Sequence, residues 1–254
     1  MNEFAVATLD SLHDATLAAQ VHFSGATPWY RGHRRADWRL RPVVHRGFSH
    51  DAEVDMLQRF RLLTPTRSPD CPESQDSASW LTLARHYGLP TRLLDWTESP
   101  LVAAFFAVSG APTGAAVVWC LAPGGLNVSQ GLDHSIYQLA QEELRPLVRH
   151  AFRRDLDLDK RIAAALAPQR DLRMLLQHAT YTVHGTPVPL EETEGCEKYL
   201  VKLSIPEGAR SPLGQALRRC GIRLMTLFPD LGHLAQDIAQ EYPVSQQGNE
   251  GSSA

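Results

Sequence analysis

Apolar residues recur every three to four positions in several stretches of the chain, which is the spacing of a helix with one buried face. Trp80, Leu83 and Tyr87 follow it and predict a helix that ends at Gly88. Leu101–Val108 is apolar all round, so we expect a helix that is buried on every side. The same reasoning predicts helices at 51–63, 211–221 and 230–238, and one short helix in 1–22. Residues 133–176 are predicted to be helical, with interruptions at Pro146 and Pro168.

Other stretches carry the patterns of strands. Ala115–Leu121 is continuously apolar, as expected of a strand at the centre of a sheet. Tyr199–Ile205 alternates apolar residues with mostly polar ones, which is typical of a half-buried strand. Shorter strands are predicted at 29–32, 91–96, 179–184 and 226–228. Because strands and helices do not alternate regularly, we predict the α+β fold class, with a mixed central sheet and flanking helices.

The same pattern suggests how the chain divides. We predict a single domain over residues 23–242, preceded by a separate N-terminal segment, residues 1–22. Residues 243–254 contain few apolar side chains, so we predict a disordered tail there.

Composition narrows the class of protein. With 254 residues, 43% of them hydrophobic and 21% charged, the chain has ordinary globular usage. A net charge of −3 argues against a bulk nucleic-acid binder. Only three of the 25 basic residues are Lys. Codon usage explains most of this excess of Arg, but some Arg side chains are expected to bind phosphate or carboxylate through two parallel hydrogen bonds.

Several classes of site are excluded or disfavoured at the level of motifs. The sequence has no GxGxxG after a strand and no GxxxxGK[ST], which excludes a Rossmann dinucleotide site and a P-loop. Its four Cys residues lack zinc-site spacing, so we expect no metal. No signal peptide is recognisable, and the longest apolar run, Leu101–Val108, is too short to cross a membrane. We therefore expect a cytoplasmic protein with no membrane partner.

The first stretch with candidate chemistry is Trp29–His33. Arg31 lies between an aromatic residue and a glycine at the predicted end of a strand, where its planar group can point several N–H donors into a cleft. Gly32 would let a ligand approach the backbone closely. A surface arginine in a turn is the alternative for Arg31. From residue 31 to residue 67, nine Arg stand against four acidic residues.

The second stretch covers residues 84–100. Thr91, Arg92, Asp95 and Thr97 are polar residues between two apolar helices, so they must be hydrogen-bonded or functional. An internal Arg92–Asp95 ion pair is the structural alternative. The helix that begins after Thr97 also offers free N–H groups to an anion.

The third stretch is Arg173–His184. Gln177 precedes a predicted strand and can present a neutral amide to a ligand, and His184 is a candidate acid or base. The alternative for both is a hydrogen-bonded polar group of the core.

Together these stretches resemble the FRG domain family, which is named for a Phe/Tyr-Arg-Gly signature. The resemblance covers roughly residues 20–240. It rests on the segments 30–32, 38–42, 86–97 (HYGLPTRLLDWT) and 103–107, and more weakly on Arg173, Gln177, 181–184 and 226–231. Two positions depart from the pattern. Arg85 stands where the family usually has Gln, and Leu224 stands where many members carry an acidic residue.

The order of these motifs is similar to that of ADP-ribosyltransferases. That likeness implies that Arg31 holds the phosphates of NAD and that Thr91 or Thr97 supports the nicotinamide ribose. Gln177 would occupy the position of the catalytic Glu. An amide can bond to the ribose but cannot supply negative charge. Either Gln177 is therefore not the catalytic group, or another acid substitutes for the Glu, and Asp95 is the candidate.

The likeness implies NAD as the substrate, with Arg31, Asp95 and Gln177 as catalytic residues. The implied binding set is Tyr30, Arg31, Gly32, His33, Thr91, Arg92, Trp96, Thr97 and His184. The function implied is that of a toxin or phage-defence effector acting on a protein or nucleic-acid target, with a cognate inhibitor protein as a further partner. Two alternatives stay open. One is a non-catalytic nucleotide- or nucleic-acid-binding module, and the other is a protein-interaction module.

Overall fold

The strands of the central sheet come from every part of the sequence. The computed structural model describes residues 2–110, 113–155, 158–168 and 171–242. Its strands are β1 (Glu3–Ala5), β2 (Trp29–His33), β3 (Leu93–Thr97), β4 (Ala116–Leu121), β5 (Tyr137–Gln138), β6 (Ile162–Leu166), β7 (Ala179–His184) and β8 (Leu200–Ile205). They form one sheet in the order β1-β8-β4-β2-β3-β7-β6-β5.

Helices cover both faces of this sheet. They are α1 (Leu9–His22), α2 (His50–Leu63), α3 (Ser77–His86), α4 (Pro100–Val108), α5 (Pro123–Ser129), α6 (Arg145–His150), α7 (Leu172–Leu176), α8 (Glu207–Arg219), α9 (Leu224–Leu227) and α10 (Leu231–Ala239). The β1–β8 and β5–β6 pairs are parallel and the other pairs are antiparallel. The structure therefore confirms the predicted α+β class with a mixed central sheet and flanking helices.

Two apolar cores lie on opposite faces of the sheet. In β3, Leu94 and Trp96 belong to the core shared with α1, α4 and α8, whereas Leu93 belongs to the core shared with α2, α3 and α6. This division follows from the strand geometry, because successive side chains point to opposite faces. All residues of β4 are buried, and β4 pairs with β8 on one side and β2 on the other. The continuously apolar run thus forms a central strand, as predicted.

Three parts of the predicted pattern differ in the structure. The strand predicted at 226–228 is wrong, because the Thr226 hydroxyl accepts from the Arg223 amide at 3.0 Å and helps to begin α9. Most of 133–176 is not helical and contains β5 and β6 besides α6 and α7. The Ala-rich β6 has the composition of a helix, but pairing with β7 overrides that propensity. Residues before 23 contain a strand as well as a helix.

The first strand and the first helix are integrated with the rest of the fold. Glu3–Ala5 pairs with β8, and Leu12 of α1 lies in the core with α4 and α8. The tail predicted at 243–254 lies outside the described residues. In the part of the chain that is described, no helix combines the length and apolar character needed to cross a membrane.

Candidate active site between β2 and β3

The two central strands of the sheet separate almost immediately. β2 and β3 are paired at one position, Tyr30 with Thr97, whereas each is paired at five positions with its other neighbour. An antiparallel ladder would continue from Tyr30–Thr97 toward Gly32 and Asp95. Instead the backbones diverge there, and a cavity opens between them.

Arg31 bridges this gap with its side chain. Its Nη1 donates to the backbone carbonyl of Asp95 at 2.5 Å. The same Nη1 lies 3.7 Å from the Asp95 carboxylate. The interrupted strand pairing leaves the Asp95 carbonyl without a backbone donor, and Arg31 supplies one. This contact stabilises the fold, because an unpaired buried backbone group costs free energy. Arg31 is therefore part of the sheet as well as part of the cavity wall.

His33 holds the other side of the Arg31 guanidinium. Arg31 Nε donates to Nε2 of His33 at 3.1 Å, and Nδ1 of His33 lies 3.2 Å from the Trp38 carbonyl. Burial, together with the charge on Arg31, lowers the pKa of His33 to about 3. The ring is thus neutral, with its proton on Nδ1 directed at the carbonyl of Trp38. This tautomer lets Nε2 accept from Arg31 and fixes the direction of the guanidinium.

Asp95 is held by two arginines. Arg85 Nε lies 3.0 and 3.1 Å from the two carboxylate oxygens, and Arg85 Nη2 donates to Oδ2. Burial raises the pKa of Asp95, but the charges on Arg85 and Arg31 and the hydrogen bonds from Arg85 outweigh it, so the pKa lies below its usual value. Burial also lowers the pKa of Arg31 to about 10, against the opposing effect of Asp95. All three groups are ionised at neutral pH.

The cavity between the strands, here called the β2–β3 cavity, has a volume of about 450 Å³. The described residues that line it are Tyr30, Arg31, Gly32, Arg34, Trp38, Arg85, His86, Asp95, Trp96, Thr97, Phe105, Phe106, Ser109, Arg173, Met174, Gln177, Ala179, Tyr181, Leu224 and Phe228. Among them are four arginines, one carboxylate and seven aromatic side chains other than His. Such a lining favours a negatively charged ligand that carries a flat ring.

A cluster of aromatic rings and one cation form the wall of the cavity near the chain's C-terminal helices. The Arg173 guanidinium lies 4.6 Å from the centre of the Phe228 ring. Phe228 contacts Phe106 edge to face at 6.0 Å and stacks on His233 at 4.4 Å. This stacking fixes Phe228 and holds Arg173 over it, where the described residues provide no carboxylate partner for Arg173.

Thr97 and Gln177 are joined at the inner end of the cavity. The Thr97 hydroxyl donates to the backbone carbonyl of Gln177 at 2.7 Å and accepts from the Ser99 amide at 3.1 Å. The Gln177 side-chain amide donates to the Leu227 carbonyl at 3.0 Å. Both side chains therefore have structural partners, and Gln177 keeps its Oε1 oxygen as an acceptor.

Seven of the residues proposed from the sequence meet in this cavity. They are Tyr30, Arg31, Gly32, Asp95, Trp96, Thr97 and Gln177. His33 lies behind Arg31 and does not line the cavity in the described structure. Gly32 has a packing role as well, since a Cβ there would lie 2.0 Å from the Ala103 carbonyl oxygen of α4.

Thr91, Arg92 and His184 do not line the β2–β3 cavity. Arg92 is 2% exposed and forms a bidentate pair with Glu53 of α2, at 3.1 Å and 2.5 Å. The suggested Arg92–Asp95 pair is therefore wrong, because the two side chains take different partners. His184 is fully buried and contacts the Thr182 hydroxyl at 2.8 Å. Burial lowers the pKa of His184 well below its ordinary value, so at neutral pH it is a neutral group of the core.

Several lining residues were not selected as site residues from the sequence. Arg34, Trp38, Arg85, Arg173 and Phe228 all reach the cavity. Arg85 carried a usable signal, because it departs from the family pattern immediately before the most specific motif. Phe228 carried only the weak signal of the 226–231 match, since its ring reaches the site only through the placement of α9 and α10.

Within the described ranges no three His, Cys, Asp or Glu side chains come together in a way that could hold a metal ion. Residues 26–115 match the model of the FRG domain family. No curated protein and no solved structure matches the chain. The matched segment contains β2, α2, α3, β3 and α4, and residues 26–115 supply 13 of the 20 described lining residues.

Proposed function

We propose that the β2–β3 cavity of this chain, whose residues 26–115 match the model of the FRG domain family, binds NAD as the substrate of an ADP-ribosyl transfer. In that reaction the bond between nicotinamide and the ribose C1 breaks, nicotinamide leaves, and a nucleophile of a protein or nucleic-acid target bonds to the same carbon. The cell role that goes with it is that of a toxin or phage-defence effector. The four cysteines are free thiols, which supports the cytoplasmic location that this role assumes.

The observation that carries the proposal is the composition of the cavity wall. Arg31, Arg34, Arg85 and Arg173 surround a space in which Asp95 is the one carboxylate among the described lining residues. A dinucleotide has two adjacent phosphates and two flat rings. Arginines bind phosphate through paired N–H donors, and the aromatic side chains offer faces on which a ring can stack.

Each residue has a role in this proposal that follows from its contacts. Arg31 is held by His33 and by the Asp95 carbonyl, so it presents its remaining donors in a fixed direction to a phosphate. Asp95 is ionised and can stabilise positive charge on the ribose. Arg85 holds the Asp95 carboxylate in place. When a phosphate binds, Arg85 would donate to the phosphate as well as to that carboxylate. Gln177 offers its Oε1 oxygen to a ribose hydroxyl.

A specific observation favours a second candidate, a nucleotide-binding module without catalysis. The Asp95 carboxylate is neutralised by Arg85 and Arg31, and Gln177 is an amide. No described lining residue therefore supplies an unpaired negative charge to the ribose. Such a module would bind the phosphates through the same arginines but would not transfer ADP-ribose.

The test separates binding from transfer. The purified chain is titrated with NAD and with ADP-ribose, and it is incubated with labelled NAD and cell lysate to detect label transfer and nicotinamide release. Arg31→Lys keeps the charge but loses the paired donors, so we expect ligand affinity to fall about tenfold or more. Arg219→Lys, an exposed residue of α8, is the matched control and should behave as the wild type.

The outcomes are distinct. Label transfer that Arg31→Lys abolishes and Arg219→Lys preserves supports the transferase. Saturable NAD binding with neither transfer nor nicotinamide release supports the binding module. If neither NAD nor ADP-ribose binds to a folded chain, as checked by its thermal unfolding, both functions are rejected.

A further inference from the structure

A second cavity lies on the α2, α3 and α6 side of the sheet. This α2–α6 cavity has a volume of about 490 Å³. Four arginines line it, namely Arg61, Arg145, Arg149 and Arg153. Of the described residues that line the two cavities, none is common to both. The two spaces lie at opposite ends of α3, since Ser77 lines the second and His86 the first.

Arg61 is held in a fixed position. Its guanidinium lies 5.7 Å from the centre of the Trp80 ring and 5.4 Å from that of Phe152, and it donates to the Ser74 carbonyl. No carboxylate among the described residues forms an ion pair with it. A cation placed between two aromatic rings is pre-organised, so little rotamer entropy is lost when it binds an anion.

The other three arginines are available to a ligand. Arg149 is exposed and has no ion-pair partner in the described part of the chain. Arg145 pairs with Glu142 and Arg153 with Asp155, but every side chain in these two pairs is 46% or more exposed. Exposed pairs of this kind contribute little, so an arriving anion can displace the carboxylates.

The remaining wall adds to the preference for an anion. α3 begins at Ser77 on this wall, and the N-terminus of a ten-residue helix carries partial positive charge. Asp76 is the one carboxylate among the described lining residues, and its side chain accepts from the Ser79 amide as the N-cap of α3. Its negative charge therefore lies against the helix end.

We propose that the α2–α6 cavity is a second anion site, which binds a phosphate group of a nucleotide or a nucleic-acid strand through Arg61, Arg149 and Arg153. The site is independent of the function proposed for the β2–β3 cavity. Arg61 would supply the half-buried contact, and the two exposed arginines would close over the phosphate from the outside.

Trp80 provides a local reporter for the test. Its indole N–H donates to the Glu73 carbonyl at 3.0 Å, beside Arg61. The chain has five Trp residues, so its indole N–H signals are few, and a Trp80→Phe variant assigns the relevant one. The folded, ¹⁵N-labelled chain is titrated at low salt with inorganic phosphate, with AMP and with a single-stranded oligonucleotide.

Three variants test whether the α2–α6 cavity is the place where the ligand binds. Arg149→Gln removes one exposed donor, and we expect its apparent Kd, followed by the Trp80 signal, to rise about tenfold. Arg219→Gln makes the same charge change on α8, and Arg34→Gln makes it in the β2–β3 cavity. Neither of these should alter the Kd followed by the Trp80 signal.

The site is supported if the Trp80 signal shifts saturably and Arg149→Gln alone weakens the effect. A tighter complex with the oligonucleotide than with AMP, with an affinity that falls steeply with salt, identifies a nucleic-acid backbone as the source of the phosphate. Equal affinities identify a free nucleotide. The proposal is overturned if none of the three probes moves the Trp80 signal, or if Arg149→Gln and Arg219→Gln weaken binding equally.

Discussion

The Arg31 side chain donates to the backbone carbonyl of Asp95 across the gap where β2 and β3 have ceased to pair. The side chain of the arginine in the Tyr-Arg-Gly signature thus replaces a backbone hydrogen bond that the sheet lacks at this position. The same side chain also lines the cavity. A variant of Arg31 changes the sheet and the ligand site together. The residues around it allow the two roles to be tested separately.

His33 should make the protein sensitive to acid. Its pKa is about 3 in the folded chain, below the usual 6.5, so the stabilisation is present above pH 6.5 and is lost as the pH falls toward 3. Between pH 7 and pH 4 this single group should remove about 3 kcal/mol of unfolding free energy. Urea unfolding of His33→Gln should show a shallower loss over that range than the wild type. A loss as steep as in the wild type would mean that His33 is not held neutral, and exposed His13→Gln is the control.

Arg85 should control the ionisation of Asp95. In Arg85→Gln the main opposing charge is removed, so burial dominates and the pKa of Asp95 rises. Arg85→Lys keeps the charge and should hold the pKa nearer to its wild-type value. Carboxyl ¹³C NMR titration of Asp95 measures the difference directly. An unchanged pKa in Arg85→Gln would show that Arg31 alone is sufficient.

Gly32 should tolerate no side chain. A Cβ there would lie 2.0 Å from the Ala103 carbonyl oxygen and 2.6 Å from the Ala107 amide nitrogen, and both are backbone atoms of α4. We expect Gly32→Ala to destabilise the fold by about 3 kcal/mol, near the upper end of the usual cost of overpacking. Gly208→Ala, whose Cβ meets nothing within 4 Å, should be neutral or slightly stabilising. Thermal unfolding of both proteins would decide, and equal melting temperatures would contradict the close approach of β2 and α4.

Arg92 and Glu53 should behave as a structural unit. Both side chains are 2% exposed, so Arg92→Met alone leaves a buried carboxylate and should cost about 3–5 kcal/mol. The double variant Glu53→Leu/Arg92→Met removes both charges and should recover most of that loss. NAD affinity, measured on the folded fraction, should be the same in the double variant and the wild type. A selective loss of affinity would restore Arg92 to the binding set proposed from the sequence.

The sequence predicted the helices and strands that their own hydrophobic pattern is sufficient to identify. Ala115–Leu121 is apolar enough to be identified as a central strand, and β4 confirms it. Leu101–Val108 forms a helix as predicted, but it is not buried on every side, because Phe105 and Phe106 line the cavity. β6 was not predicted, because its Ala-rich composition favours a helix until pairing with β7 is known. α9 was not predicted either, because its beginning depends on one side-chain hydrogen bond.

The candidate site was predicted in part, for a related reason. A motif shows which residues are polar, but it does not show which polar residue is the partner of which. Arg92 and Asp95 are three positions apart, yet Arg92 pairs with Glu53 of α2 and Asp95 pairs with Arg85 of α3. Arg92 lies just before β3 and Asp95 lies within it, and side chains three positions apart along a strand point to opposite faces. Arg173 and Phe228 come from distant parts of the chain and meet only when the sheet is complete.

The strand order has a consequence for how the recognisable segment can be handled. Residues 26–115 hold β2 and β3, whereas β4 and β7, their five-residue partners, lie outside it. A polypeptide cut to those residues would keep two strands joined at one position and would expose an unpaired edge on each, which favours aggregation. The signature and the folding unit therefore differ in extent. A graft of this site into another scaffold must carry residues 116–121 and 179–184 with it.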